Sequence, residues 1–323
     1  MANYLVTGAA GFIGARTSTI LIEQGHTVVG VDNMNDAYDV RVKEYRLKNL
    51  QMLNGFEFVR DDISQRVILD RLAGRRFDAV INLAAWAGVR ASVKNPWVYA
   101  ETNVIGTLNM LELCRQTDCK KFLLASTSSI YGANPPYPTP ETASSSEPLQ
   151  PYAASKKGAE VLAHSYRYLH NIDVSIVRYF TVFGPAGRPD LAIFRFVQRI
   201  TEGQPIRVNG DGEQSRGFTY IDDIARGSIA ALKPLGYEII NLGGHETITI
   251  NNLIKLTEEI VGKKAIVEYG PPDLADMRSN WADVSKARSM LGWEPRVGLR
   301  EGITHLFEWY RAEREWARDI ITS

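Results

Sequence analysis

The stretch VTGAAGFIG, Val6 to Gly14, joins the end of an apolar run, YLVTG, to the start of an amphipathic one. Its glycines, Gly8, Gly11 and Gly14, are spaced G-x-x-G-x-x-G. A backbone that turns tightly from strand to helix, and lets a pyrophosphate approach the helix amino terminus, needs residues without a Cβ there. Any tight turn uses glycine, so the motif takes its meaning from its place between strand and helix. About 20 residues on, where a dinucleotide fold keeps an acid, the run VVGVD ends in Asp32. A carboxylate there accepts hydrogen bonds from both ribose hydroxyls and repels a 2′-phosphate, which favours NAD over NADP. The competing reading is a turn capped by Asp32 with Asn33. The next strand candidate ends in DDI, where Asp62 can receive an adenine amino group. NLAA, from Asn82 to Ala85, offers small side chains where a strand end meets a cofactor.

Outward from this turn, short β-like runs alternate with longer amphipathic ones. The strand candidates are YLVTG, TVVGVD, EFVRDD, DAVINLAA, KFLLAS and DVSIVRYF, and helices are expected over 11–23, 64–72, 96–115 and 151–169. This predicts an α/β fold, a Rossmann-type doubly wound parallel sheet with helices on both faces. Beyond Phe180 the rhythm loosens, with Gly and Pro in FGPAGRPD and YGPPDLAD. Short strands (PIRVNG, EIINLGG, AIVEYG) and helices over 251–261, 284–291 and 299–311 predict a smaller α/β carboxy-terminal substrate domain. The expected division is 1–180, rejoined by 221–246, for the dinucleotide, and 181–220 with 247–323 for the substrate. Segment 133–150, rich in Pro and Ser, is expected to be a long loop free to move. Trp309, Tyr310 and Trp316 near the carboxy terminus are expected to pack rather than bind.

The 323 residues are 45% hydrophobic, enough for a full core. Lys plus Arg equals Asp plus Glu at 37 each, which leaves no basic excess for a nucleic-acid partner. No apolar run approaches a membrane span. The opening MANYLVTG enters a strand at once, unlike a signal peptide. Cys114 and Cys119 are the only cysteines, and no histidine cluster gives them metal-ligand company. A cytoplasmic protein with reduced thiols and no metal is expected.

PYAASKKGAE places Tyr152 and Lys156 four residues apart on one helix face, with Pro151 at the first helical position. Tyrosine titrates near 10, so a phenol acting as a base near neutrality must be lowered by ~3 units, or ~4 kcal/mol. A nearby ammonium and a positive nicotinamide can do this. Tyr-x-x-x-Lys is common in helices; its company here is the upstream dinucleotide turn and the strand end ASTSSIYG, Ala125 to Gly132. Ser and Thr also satisfy loose backbone at strand ends, the bland reading of that cluster.

Together TGAAGFIG, Asp32, DDI, NLAA, the hydroxyl-rich strand end, YAASK and the late FTYIDD resemble the extended short-chain dehydrogenase/reductase family, over essentially the whole chain. Within it the chain is similar to nucleotide-sugar epimerases and dehydratases. The resemblance implies tightly held NAD, a carboxy-terminal lobe for a UDP-sugar, and a triad at Thr127, Tyr152 and Lys156. It implies cofactor contacts from Gly8, Gly11, Phe12, Ile13 and Gly14, from Asp32, Asn33, Asp62 and Ile63, from Leu83, Ala84, Ala85 and Asn103, and from Tyr152, Lys156 and Phe180. It also implies a homodimer built through a four-helix bundle, whose candidate helices are 96–115 and 151–169.

Related dehydratases and decarboxylases carry an acid directly after the triad Ser/Thr. Here Ser128 and Ser129 stand there, and a neutral hydroxyl is a poor general acid or base. Epimerisation at C4 is the chemistry that remains, with Ser126 serving the backbone. RYFTVFGPAGRPDLA, Arg178 to Ala192, and DNMNDAYDVRVKEYRL resemble the UDP-glucuronate 4-epimerases. A substrate carboxylate asks for donors and a cation, available in Ser128, Ser129, Thr181 and Arg188. Arg188 as a plain surface cation is the competing reading. A 4-keto uronic acid is a β-keto acid, so these groups are expected to hold its carboxylate out of line with the carbonyl π system and prevent loss of CO2. Arg216, in QSRGFTYIDD, matches the family's phosphate- or ribose-binding arginine. Asp273 departs from the family pattern, with an acid where the pyrophosphate asks for a cation, so Arg195 or Arg278 is expected to substitute. Three alternatives stay open: a 4-epimerase of UDP-glucose or UDP-N-acetylglucosamine, a reductase that releases NADH, and a non-catalytic NAD-binding scaffold.

Overall fold

The computed structural model describes residues 1–244, 246–272 and 279–322. The chain begins β1 (Asn3–Thr7), α1 (Phe12–Glu23), β2 (Thr27–Asp32), α2 (Val40–Gln51), β3 (Phe56–Arg60), α3 (Val67–Leu72) and β4 (Ala79–Asn82). Next come α4 (Val89–Lys94), α5 (Trp97–Tyr99), a π-helical turn (Ala100–Ile105), α6 (Gly106–Thr117), β5 (Lys121–Thr127), α7 (Pro151–His170) and β6 (Asp173–Tyr179). Then follow β7 (Thr181–Phe183), α8 (Ala192–Glu202), β8 (Pro205–Asn209), β9 (Ser215–Tyr220), α9 (Ile221–Ala230) and β10 (Tyr237–Leu242). The last are β11 (Thr247–Thr249), α10 (Ile250–Val261), β12 (Ile266–Gly270), β13 (Ser279–Asn280), α11 (Ser285–Leu291), α12 (Leu299–Ala312) and α13 (Arg314–Ala317).

The main sheet has seven strands in the order β3-β2-β1-β4-β5-β6-β10, all parallel, as the alternation of runs predicts. Its strands bury both faces. Leu5, Val80, Phe122, Leu124, Val174 and Ile176 lie in one core layer, and Val6, Ile81, Leu123, Val177 and Ile240 in the other. This is why the strands read as unbroken apolar runs. The strand order reverses between β1 and β4, which opens a crevice at the carboxyl ends. Buried polar groups hold its floor: Thr7 Oγ1 donates to Asn82 Oδ1 (2.7 Å), and Asn82 Nδ2 donates to Thr107 Oγ1 (3.1 Å). A smaller sheet joins β9 to parallel β7 and β13 and to antiparallel β11, while β8 and β12 pair separately.

Several details depart from expectation. The helix expected over 96–115 is α5, the π turn and α6 in series. Helices α2, α4, α8, α9 and α13 are additional. The buried stripe of α2 includes Lys43 and Arg46 beside Val42 and Leu50, so it reads as polar in the sequence. Segment 133–150 is irregular but pinned. Thr139 N donates to Trp281 O (3.0 Å), and Thr139 O accepts from Asp283 N and Asn241 Nδ2 (both 2.9 Å). The carboxy-terminal aromatics do pack: Tyr310 is buried, and Trp309 and Trp316 meet Tyr45 of α2 at ring distances of 5.8 and 5.3 Å.

One buried ion pair joins α7 to β6. Arg178 donates to Glu160 from Nε (2.9 Å) and Nη2 (2.8 Å), with each side chain only 2% exposed. Removing one partner leaves an uncompensated buried charge, which typically costs about 3–5 kcal/mol. Arg178→Met is therefore expected to lower unfolding free energy by that amount in urea titration. The double change with Glu160→Leu is expected to recover much of the loss, and no recovery would contradict the pairing argument.

Candidate active site

The glycine turn is forced by close backbone approach. Gly8 has φ +68°, and a Cβ added there would lie 2.8 Å from Ala84 N; at Gly14 it would lie 2.1 Å from Gly8 O. Gly11 is the N-cap of α1, without a side-chain cap and with no acid in the first turn. The N–H groups of Phe12 and Ile13 thus open on the crevice at the positive end of the helix dipole, a seat suited to pyrophosphate. The Phe12 ring turns the other way, 5.5 Å from the Arg46 guanidinium. Asp32, at the end of β2, accepts from Ala10 N (3.1 Å) and Met34 N (2.8 Å), with Lys43 Nζ 3.7 Å away. A carboxylate has about four acceptor sites, so it retains capacity for ribose hydroxyls. Asn33 Nδ2 donates to Asp62 (2.9 Å), and Asp62 also accepts from Ser64 N and Oγ. Against burial, which raises it, those bonds hold the Asp62 carboxyl below its ordinary value. These residues fit a dinucleotide.

Leu83, Ala84 and Ala85 follow β4 into the crevice, and Ala84 N donates to Thr7 Oγ1 (3.1 Å). Asn103, in the π turn, donates to Trp86 O (3.0 Å) and Ser155 Oγ (2.9 Å) and accepts from Trp86 N (3.0 Å). Its amide braces the strand-end loop against α7, so its link to a cofactor runs through that loop. Ile63 packs beneath Gly106, and Phe180 is buried behind β6, against Gly243.

Thr127 ends β5 and caps the short 3₁₀ turn Ser128–Tyr131, accepting from Ser129 N (3.2 Å). The same hydroxyl lies near enough to the Tyr152 phenol to lower it. Capping and chemistry thus share one side chain. Tyr152 and Lys156 lie in the first turns of α7, which begins at Pro151. Lys156 is buried and donates to Ala125 O (2.9 Å). Burial lowers its ammonium to about 8, opposed by Glu160 one turn on. The Tyr152 phenol is pushed up rather than down: burial outweighs Thr127 and Arg188, which lower it. The Lys156 ammonium, directed at Ala125 O, is not among its lowering influences. Ser126 corrects a further expectation, because its hydroxyl donates to Glu160 Oε1 (2.7 Å) and not to backbone.

Ser128 Oγ accepts from Asn280 Nδ2 (3.0 Å). Asn280 is a site residue that sequence reasoning missed; it carries no motif and gains its place only because β13 pairs with β9. In that pairing Asn280 stands opposite Arg216, whose Nη1 donates to Ser215 O (2.7 Å). Thr181 and Arg188 line one small cavity with Leu191. Arg188 donates to Asp190 from Nε (3.0 Å) and Nη2 (2.6 Å). Arg195, on α8, is lowered by burial and by Arg199 and Arg90 nearby. Asp273 and Arg278 lie outside the described residues. Among the described residues no group of acids, histidines and cysteines suits a metal, and no helix is long and apolar enough to cross a membrane.

The model of the NAD dependent epimerase/dehydratase family matches residues 4–243. The chain belongs to that family. It is an isomerase of the epimerase type, and its cofactor is NAD. It is 52% identical over 323 residues to a UDP-glucuronate 4-epimerase of Thermodesulfobacterium geofontis, covering 99% of both chains. Its fold matches a Bacillus cereus UDP-glucuronic acid 4-epimerase, in complex with UDP-4-deoxy-4-fluoro-glucuronic acid and NAD, at TM-score 0.90. That match is 35% identical and covers 96% of this chain and 99% of the other. A Thermotoga maritima UDP-glucose 4-epimerase, with UDP-glucose, matches at TM-score 0.88 and 33% identity, covering 97% and 99%.

In this epimerase, a rate that depends on the Lys156 ammonium falls as pH rises through about 8, where the ammonium loses its proton. The profile of kcat/KM is expected to show an alkaline limb with a midpoint near that value. Lys156→Arg, charged throughout, is expected to lose the limb together with most of the rate. A native profile flat to about pH 10, near the ordinary lysine value, would contradict the assignment.

Proposed function

We propose that the enzyme inverts C4 of UDP-glucuronate, interconverting it with UDP-galacturonate. The observation that carries this reading is the strand end at Thr127, Ser128 and Ser129. It offers hydroxyls and no acid, beside the arginine loop at Arg188. Similarity to the Thermodesulfobacterium geofontis and Bacillus cereus enzymes supports the same substrate.

NAD, when bound, accepts a hydride and returns it. Tyr152 takes the proton of the C4 hydroxyl, and Thr127, which lies beside the phenol, orients that alcohol. Lowering the phenol toward neutrality needs positive charge that the free site does not give it; the nicotinamide, when bound, would supply it, with the Lys156 ammonium on the same helix face. Once the keto sugar has turned and presents its opposite face for the hydride, Tyr152 returns the proton to the C4 oxygen. Ser128, Ser129, Thr181 and Arg188 hold the C6 carboxylate. Asp190 engages only Nε and Nη2 of Arg188, and a guanidinium has five N–H donors. Arg216 and Arg195 take the phosphates; a cation kept beside Arg199 and Arg90 is favoured once an anion arrives. Residues 181–220 and 247–323 form the sugar-nucleotide lobe in this reading.

A second reading, a neutral UDP-sugar 4-epimerase, is favoured by one fact: Arg188 already has a carboxylate partner in Asp190. Incubation with UDP-glucuronate, UDP-glucose and UDP-N-acetylglucosamine, with C4 epimers resolved by NMR, separates the two. Inversion of the neutral sugars alone would overturn the uronate assignment. Thr181→Ala and Ser128→Ala are expected to raise CO2 and UDP-pentose release about 10- to 100-fold, the worth of one hydrogen bond to a charge. Unchanged product purity would sink the carboxylate-holding role.

We also propose a homodimer. Trp97 (75% exposed), Ile105, Val161 and Leu169 place apolar side chains in solvent on the α5–α6 segment and α7, the two helices expected to form the bundle. Trp97→Glu with Val161→Glu is expected to give a monomer by light scattering, and a native chain already monomeric would refute this. The buried free thiols Cys114 and Cys119 suit the cytoplasm.

A further inference from the structure

Arg46 lies on the buried face of α2 and is 5% exposed. Its hydrogen bonds run to carbonyls and a phenol. Nε and Nη2 both donate to Ala186 O (2.9 and 2.6 Å), and Nη2 also donates to Gly187 O (3.1 Å). Nη1 donates to Ala10 O (3.2 Å) and to the Tyr38 hydroxyl (2.7 Å). Ala10 belongs to the glycine turn, and its own N–H is bonded to Asp32. Ala186 and Gly187 immediately precede Arg188. Ala186 has φ +50°, a left-handed conformation unfavourable for alanine, and two donors of one guanidinium hold its carbonyl. Tyr38 faces both arginines, with its ring centroid 5.6 Å from Arg46 and 5.9 Å from Arg188.

A buried cation is expensive, and packing alone would be served as well by an apolar side chain of similar length. None of the steps assigned above uses Arg46. What its fork of donors does, and a single-point ammonium cannot, is fix two loops at one separation. We propose that Arg46 is a positioning residue that sets the distance between the dinucleotide seat and the Arg188 loop, so that the sugar meets the cofactor in register. The Arg188 side of this coupling rests on the uronate reading above.

The test uses the full-length holoenzyme and three variants. Arg46→Lys keeps charge without the fork, Arg46→Met removes the charge, and Tyr38→Phe removes one acceptor while keeping the ring. Bound NAD per chain, KM and kcat, and the fraction of UDP-pentose formed are measured for each. Folded Arg46→Lys is expected to retain NAD, lose about 10- to 100-fold in kcat/KM, mainly through KM, and release more pentose. Tyr38→Phe is expected to show the same pattern more weakly, and it serves if the Arg46 variants do not fold. Kinetics and product purity within twofold of the native enzyme, or an effect confined to melting temperature, would overturn the proposal. The native enzyme's failure on UDP-glucuronate would instead overturn the uronate reading. In that case the same KM shift is expected on the neutral UDP-sugar that it does invert, and its absence overturns the Arg46 role.

Discussion

The site depends on the buried pair of Glu160 and Arg178. Glu160 stands one helical turn beyond Lys156 on α7, and Arg178 faces Ser126 across the β5–β6 pairing. Glu160 also accepts from Ser126, the residue before Thr127. Ser126 of β5, Arg178 of β6 and Lys157 of α7 (3.3 Å) therefore meet at one carboxylate. A pair like this adds little net stability over well-packed apolar residues. What it adds is register: α7 can satisfy the carboxylate at only one height along β5, and that height sets Tyr152 opposite Thr127. The network continues through Tyr131, which accepts from Arg178 (3.0 Å) and donates to Asn241 (2.6 Å) on β10. Burial without such satisfaction would be costly in a low-dielectric interior.

The same carboxylate acts on the chemistry through space. Burial drives Lys156 toward neutrality, and the Glu160 charge opposes it. Burial also drives Tyr152 up, and Thr127 and Arg188 oppose it. Lys156 and Tyr152 are thus both held between a dry environment and a few oriented groups. Burial wins at both side chains, so bringing the phenol toward neutral pH requires a further positive charge, such as a bound nicotinamide would supply.

The parts legible in the sequence are those set by local physics. Gly8, Gly11 and Gly14 are readable because only glycine fits that turn, and Asp32 because it lies one strand away. The parallel sheet is readable because strands buried on both faces leave continuous apolar runs. The α2 helix was not readable as a helix, because the face it buries carries Lys43 and Arg46, whose charges find partners only in the folded chain. Asn280 was equally silent: a short polar residue has no pattern, and its contact with Ser128 spans 152 positions. Ser126 was misassigned for a related reason. A strand-end hydroxyl has many local partners, and the one it takes, Glu160, is brought close by helix packing.

The neutrality of the strand end follows from electrostatics once the substrate is an acid. A carboxylate at position 128 or 129 would stand beside the sugar carboxylate in the proposed pose. Two like charges about 4 Å apart cost about 1 kcal/mol in water and about 4 kcal/mol at the effective dielectric near a protein surface. Hydroxyls carry no such cost, and they donate as readily as they accept. Asn280 directs its amide at Ser128 from β13. With one lone pair of Ser128 Oγ engaged by that amide, its hydroxyl hydrogen is left to point at an anion. A residue of β13, far along the chain, therefore orients the alcohol at position 128.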